Sequence, residues 1–340
     1  MPYRFKLDEP IASGVRRIAR EQIARAGLEL DRVSAGGAAA GIHESRKAIK
    51  RLRALLRLLR PQIGQKAFKV RNVGLKEIAA KLSASRDHSI LDETITKLEG
   101  RFGHAGVKAL APLRSTLARG HTGAQDNIGS PASETIREKL AQEGRWLDEL
   151  TFDAGGFEIV AEGLELSYRR GRAALAKASK KPTDDRVHDL RKSVQWHWRQ
   201  MALLSRAWPE YFNLRAAAAR EISQILGDDH DLAVLLHFAK SDRGARAPES
   251  GQIENMIRMR QYELRAQAYP RAARLFAEPP KAFGRRIACY WETAGPVKIR
   301  GETSSEDVRD RQIPGTLPAQ PNVTRLTVMA DNDDPSQRRA

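Results

Sequence analysis

Six residues in one short run, His43, Arg46, Lys47, Lys50, Arg53 and Arg57, share a chemistry: each donates hydrogen bonds to anions, and the arginines and lysines are cationic at neutral pH. Placed on a helix at about 100° per residue, they fall within about 80° of His43, while Ile49, Leu52, Leu55, Leu56 and Leu59 occupy the opposite side. A guanidinium fork matches phosphate oxygens, and an ammonium group adds a compact point charge. Four helical turns spread these cations over about 20 Å, a length that one small anion cannot use and a polymer of phosphates can.

The run is written a second time. His188, Arg191, Lys192, Arg199 and Arg206 form a corresponding stripe with Gln195 inside it, and Leu190, Val194, Met201 and Leu204 turn inward. His43 and His188, Arg46 and Arg191, and Lys47 and Lys192 are each 145 positions apart. A further pair agrees to within one residue: LSASRDHSILDETI from Leu82 aligns with LGDDHDLAVLLHF from Leu226 at an offset of 144. Such a repeat marks a duplicated structural unit.

A charge run is ordinarily a solvated helix face, but such faces mix carboxylates with cations, because like charges at four-residue spacing repel. Here Arg46–Lys50, Lys47–Arg51, Lys50–Arg53 and Arg53–Arg57 are same-sign neighbours, and no carboxylate lies between Glu44 and Glu77. Stacked cations make sense if an anion lies beside them. His43 and His188 each stand one turn ahead of an Arg and a Lys. Those cations push the imidazole toward neutrality, and a bound polyanion pulls it toward the charged form. Capping of a helix start is the alternative role for each histidine.

The whole chain fits this emphasis. Its 340 residues carry 59 Lys and Arg against 42 Asp and Glu, a net charge of +17, which favours polyanionic partners. From Pro296 onward seven basic and seven acidic residues cancel and no aromatic occurs, so 296–340 is expected to be a disordered tail and the excess belongs to 1–295. The single cysteine, Cys289, excludes a disulfide framework or thiolate cluster. MPYRFKLDEP lacks the apolar core of a secretory signal, and no stretch approaches the roughly 18 to 20 apolar residues of a membrane span. A cytoplasmic protein without cofactor or membrane association is expected.

The elements that must position the ladders are helices. Apolar residues recur at three- and four-residue steps over Ile11–Leu30, Ile42–Leu59, Val70–Leu98, Val107–Leu117, Glu134–Leu150, Phe157–Ala178, Val187–Ala207, Tyr211–Ala239, Ile253–Ala268 and Arg271–Ala294. Gly and Pro clusters break the pattern at Ala35–Gly41, Pro61–Gly64, Gly120–Pro131, Lys181–Asp185, Ala247–Gly251 and Pro279–Pro280. The expectation is an all-α fold of two helical repeats, 1–130 and 131–295. Each would be a four-helix bundle with its own core, related to the other by a pseudo-twofold axis.

His-x-x-Arg-Lys-x-x-Lys-Arg-x-Arg at His43–Arg53, its echo at His188–Arg199, and the Arg86–Asp87 and Leu226–Gly227…Asp231 elements together resemble a CHAD domain, the conserved histidine α-helical domain. The resemblance covers roughly Met1 to Trp291, and the YRFKLDEP segment resembles the lead-in of stand-alone members. It implies two four-helix bundles around a basic central groove that binds inorganic polyphosphate. It also implies localisation to polyphosphate or polyester storage granules, with granule proteins as partners. Carried across residue by residue, it assigns the ligand surface to His43, Arg46, Lys47, Lys50, Arg53 and Arg57 and, in the second copy, to His188, Arg191 and Lys192. There Gln195 and Trp198 replace the usual cations, and Arg199 returns to the stripe one place on. A weaker match adds Arg169, Arg170 and Arg172 after Tyr168, and Arg16, Arg17 and Arg20 in the first copy.

Two other functions compete. A basic helical body can grip nucleic-acid backbone. Single-strand binding interleaves aromatics, and the first stripe has none between Ile42 and Pro61; Trp196 and Trp198 beside the second read as packing residues. Asp228–Asp229–His230–Asp231 with His188–Asp189 suggests a metal-dependent phosphohydrolase. The equivalent first-copy stretch, Ser85–Arg86–Asp87–His88, puts Arg in the place of His230, which suits no metal. Asp87 and Asp231 are read as anchors for stripe cations or as helix caps, and the protein is expected not to be an enzyme.

Overall fold

Helical spacing becomes helix throughout. The structure, a computed structural model, describes residues 3–34, 38–82, 87–120, 130–153, 155–241 and 250–295. Contacts divide the chain into Met1–Pro296 and Val297–Ala340, and the expected tail lies outside the described residues. Among the described residues ten α-helices and no strand are found: α1 Ile11–Ser34, α2 Ala38–Leu58, α3 Arg60–Lys81, α4 Asp87–Gly120, α5 Ser130–Asp148, α6 Glu158–Lys180, α7 Asp184–Leu203, α8 Pro209–Lys240, α9 Ser250–Leu275 and α10 Pro280–Thr293. None is long and apolar enough to cross a membrane.

The helix boundaries depart from the periodicity in three places. Val70–Leu98 is not one helix: α3 ends at Lys81 and α4 begins at Asp87, whereas the matching stretch from Leu226 runs unbroken through α8. Pro61 opens α3 instead of interrupting a helix, since a proline in the first turn gives up only an N–H that has no partner there; the break comes at Gly64, with φ of 78°. Pro270 sits inside α9, which runs on to Leu275 across the gap between Ile253–Ala268 and Arg271–Ala294.

The packing of α1 on α2 and of α2 on α3 recurs as α6 on α7 and α7 on α8, while α5, which the 130/131 boundary would give to the second repeat, packs on α1 and α3. The cores are nevertheless not divided by repeat. One buried cluster runs from Tyr3 and Phe5 through α1, α2, α3 and α5 into α6, α7, the first part of α8 and α10. The other joins Leu91, Ile95, Leu98, Leu110, Leu113 and Leu117 of α4 to Leu232, Leu235 and Leu236 of α8 and to Ile253, Ile257 and Leu264 of α9. A separate core for each half is therefore not what forms, because the apolar faces of α2 and α4 are buried against helices of the other half.

Where α2 crosses α6, backbone meets backbone. A Cβ at position 163 would sit 1.9 Å from the Leu58 carbonyl oxygen, so only glycine fits at Gly163. An N-terminal strap fastens both ladder helices: the Phe5 amide donates to the Leu203 carbonyl at 2.8 Å, and the buried Tyr3 hydroxyl donates to that of Arg51 at 2.8 Å.

Candidate polyanion-binding site

α2 and α7 pack against each other and against α6, so both ladders meet in one place. Their expected inward faces are buried, Ile49, Leu52, Leu55, Leu56 and Leu59 on α2 and Leu190, Val194, Met201 and Leu204 on α7. The cations are left on the sides that face away from those apolar stripes.

Two guanidiniums, one from each ladder, are buried, and we call them the floor residues. Arg57 is 6% exposed, its guanidinium carbon 3.4 Å from the Trp196 ring centre and 5.2 Å from that of Phe68. Arg170 of α6 also lies over Trp196, at 5.3 Å. Burial, then repulsion from Arg170, Arg53 and Arg60, pushes Arg57 down to about 9, still cationic at neutral pH. Arg199 is also 6% exposed, lies 4.2 Å over Trp198 and donates from Nη1 to the Gln195 carbonyl at 2.8 Å. Burial pushes it down to about 10; Tyr3 opposes this and Arg51, Arg53 and Arg191 add to it.

Arg53 acts on both floor residues, so the charges form a continuous run: Arg170, Arg57, Arg53, Arg199, Arg191. Burial lowers Arg53 and Arg191 as well. Arg53 Nε donates to Asn72 Oδ1 at 3.1 Å, and Arg191 lies against Gly227, where a Cβ would come 3.4 Å from Nη2. The Nε groups of Arg51, Arg57, Arg191 and Arg199 are buried with no hydrogen-bond partner among the described residues. Nor does a carboxylate of the described residues form an ion pair with Arg53, Arg57, Arg170, Arg191 or Arg199. Of these five, Arg57 and Arg199 are buried, Arg53 and Arg191 half-buried and Arg170 exposed; a buried cation without a counter-ion is costly, and a bound anion lowers that cost.

The remaining sequence-identified residues sort themselves by partner. Lys47 is tied to Glu44 at 3.1 Å and Lys192 to Asp189 at 2.6 Å, which places them on the rim with part of their charge answered. His43 is exposed, while Arg46 and Lys50 are half-buried on α2. Of the weaker matches, only Arg170 joins the run. Arg169 pairs with Glu165, Arg20 with Asp148 at 2.8 Å, and Arg17 with Glu9 and Glu21. Arg16 donates to the carbonyls of Asp148 and Leu150, and Arg172 to those of Phe276, Ala277 and Glu278 at the end of α9.

The acidic run of α8 is likewise committed. Asp229, buried, holds Arg265 at 2.6 Å, and Asp228 holds Lys97 at 3.0 Å. Asp231 faces Arg191, whose charge opposes the upward push that burial gives the carboxyl. The side chain of Asp87 lies outside the described residues. Among the described residues no group of three His, Cys, Asp or Glu side chains is placed to hold a metal ion. His230 instead stacks on His188, with ring centres 4.3 Å apart.

A contrast exists elsewhere on the surface. A cleft of about 420 Å³ between α4, α8 and α9 is lined by Lys97, Arg101 and Arg260, yet these cations are paired with Glu93, Asp228 and Glu263. In the α2–α7 run, by contrast, Arg57 and Arg199 are buried with no carboxylate ion pair among the described residues.

The periodicity missed two participants, Trp196 and His230. Trp196 packs, as its spacing implies, but with its face under two guanidiniums, where the ring quadrupole answers part of their charge. The signal available for it was an aromatic set inside a cationic stripe.

The CHAD domain model matches residues 17–240, a stretch that includes both ladders and most of the chain. Among curated proteins none matches. The chain belongs to the CHAD domain family.

Proposed function

We propose that this CHAD-domain protein binds inorganic polyphosphate along the run Arg170–Arg57–Arg53–Arg199–Arg191, with His43, Arg46, Lys47 and Lys50 on one flank and His188 and Lys192 on the other. The CHAD domain is associated with polyphosphate binding. The observation that carries the reading here is the floor: Arg57 and Arg199, one from each repeat, are buried with N–H groups that no acceptor among the described residues satisfies. A chain of phosphates supplies acceptors at every step along a run drawn from α6, α2 and α7. Binding of this kind would carry the protein to polyphosphate or storage granules, beside granule proteins. The protein acts in this reading as a binder and not an enzyme; the carboxylates of a hydrolytic alternative, Asp228 and Asp229, already serve Lys97 and Arg265.

A competition titration at near-physiological salt tests this. Labelled long-chain polyphosphate is challenged with single-stranded DNA, duplex DNA, RNA and triphosphate, using the wild type, an Arg46/Lys47/Lys50→Ala variant and a Lys66/Lys69→Ala control on the exposed side of α3. Polyphosphate is expected to win at matched charge. The stripe variant should lose roughly tenfold or more in affinity, with a log–log salt slope flatter by roughly 0.7 to 0.9 per lost contact. Equal competition by nucleic acid, or equal losses in the two variants, would reduce the protein to a generic polycation.

A further inference from the structure

Two imidazoles lie face to face where the cation run reaches α8. His188 of α7 and His230 of α8 stack with ring centres 4.3 Å apart and 25° between their planes. His188 Nδ1 is buried with no hydrogen-bond partner among the described residues. Arg191 and Lys192 act on both rings as like charges. Of the acids, Asp189 acts on His188 and Asp184 on His230, but both are drawn to other cations. Asp189 is paired with Lys192 and also feels Arg170 of α6; Asp184 is held by Arg258 and Arg265 of α9. On α8, Asp229 pairs with Arg265, Asp228 with Lys97 of α4, and Asp231 faces Arg191. Burial first, then for His188 the facing His230 ring ahead of Lys192 and Arg191, and for His230 Arg191, hold each ring at about 4, so both are neutral at physiological pH.

We infer that His188 and His230 form a shared phosphate subsite that takes up a proton when a polyanion occupies the groove. The inference rests on the polyphosphate reading above. A neutral imidazole has one N–H to donate and a protonated one has two, so protonation adds both a charge and a contact. A line of phosphates beside the rings favours the charged form and offsets Arg191 and Lys192. Two imidazolium rings stacked this closely repel, so the pair gains one proton well before a second. The first repeat holds Arg86 at the position equivalent to His230, a cation that does not titrate. The stacked pair is thus particular to the second repeat, and His230 is a binding residue that neither the stripe nor the acidic motif identified.

The test is calorimetric titration of the full chain with long-chain polyphosphate at pH 6, in two buffers of different ionisation enthalpy, together with affinities from pH 8 to 5.5. Long chains are used because their internal phosphates stay ionised across this range. The wild type should bind about one proton per occupied groove, and its affinity should rise toward tenfold per pH unit below about pH 6.5. His188→Gln combined with His230→Gln should remove the uptake and flatten the pH profile. His230→Arg, which copies the first repeat, should bind at pH 7.5 as tightly as the wild type does in acid. Circular dichroism and thermal melting establish that each variant is folded. Tight wild-type binding without proton uptake would overturn this inference and leave the polyphosphate reading standing, as would uptake unchanged in the double variant, which would assign the proton elsewhere. Failure of the wild type to bind polyphosphate at any pH would sink both.

Discussion

On α2 the opening of the ladder is the outer part of the site: His43 is exposed, Arg46 and Lys50 are half-buried, and Lys47 leans on Glu44. On α7 the equivalent opening is drawn inward, with His188 stacked on His230 and Arg191 laid against Gly227. Both ladders then converge on one buried guanidinium apiece, Arg57 and Arg199, each over a tryptophan contributed by α7. The positions where the second copy departs from the expected pattern explain the asymmetry. Trp196 and Trp198 make the aromatic bed on which both floor arginines lie, and the Gln195 carbonyl takes a bond from Arg199. The copy that looks poorer in cations along the sequence builds the floor for both.

The sharpest way to break this comparison is to remove the floor. Arg57→Met combined with Arg199→Met keeps the apolar bulk and deletes two charges whose hydrogen bonds to an anion are worth about 1.5 to 3 kcal/mol each. Polyphosphate affinity should fall by about a hundredfold or more, while the ligand-free melting temperature rises, because unpaired buried charge is replaced by packed apolar groups. A lower melting temperature would mean that the guanidiniums are structural and that the floor is not an anion site.

Acid should act next most strongly, through three histidines of the second repeat. His188 and His230 are held at about 4, and His197, fully buried, accepts a hydrogen bond from Arg215 Nε at 3.0 Å and is held well below the usual histidine range. For all three the unfolded chain binds more protons than the folded one once pH drops below about 6.5, so stability is complete above that value and is lost as pH falls toward about 4. The ligand-free melting temperature should fall by roughly 5 °C or more across this window. Long-chain polyphosphate should blunt the fall by favouring the charged form of His188 and His230. His197→Gln should leave that protection in place, since His197 lies in the aromatic cluster with Tyr168 and Phe276 and away from the stacked pair.

The smallest effect restores the second ladder. Gln195→Lys should raise polyphosphate affinity about threefold and steepen the log–log salt slope by roughly 0.7 to 0.9. An unchanged slope would show that position 195 serves Arg199 through its backbone alone and does not reach the anion.

The part of this site that was legible in the sequence is the part that depends on helical period. The apolar stripes of both ladders are buried where the wheel places them, and Arg53, Arg57, Arg191 and Arg199 do meet. Arg20, Arg169 and Arg172 share only the motif with them. Their orientation is set by Asp148, Glu165 and the end of α9, acceptors that lie on other helices or that no stripe pattern weighs. The rim pairs Glu44–Lys47 and Asp189–Lys192 were within reach of the sequence, since residues three apart on a helix are neighbours.

By itself the sequence determined an all-α body, its internal repeat and the face of each ladder helix that carries charge. Those follow from local spacing, because a helix converts residue number into direction with no knowledge of the rest of the chain. Tertiary structure alone decided that the cores cross the repeats, that Val70–Leu98 divides, that His188 meets His230 and that Arg57 and Arg199 are buried without a counter-ion among the described residues. Burial and charge pairing are set by whichever groups arrive from distant segments, and the strength of a charge depends on that company more than on its place in a motif.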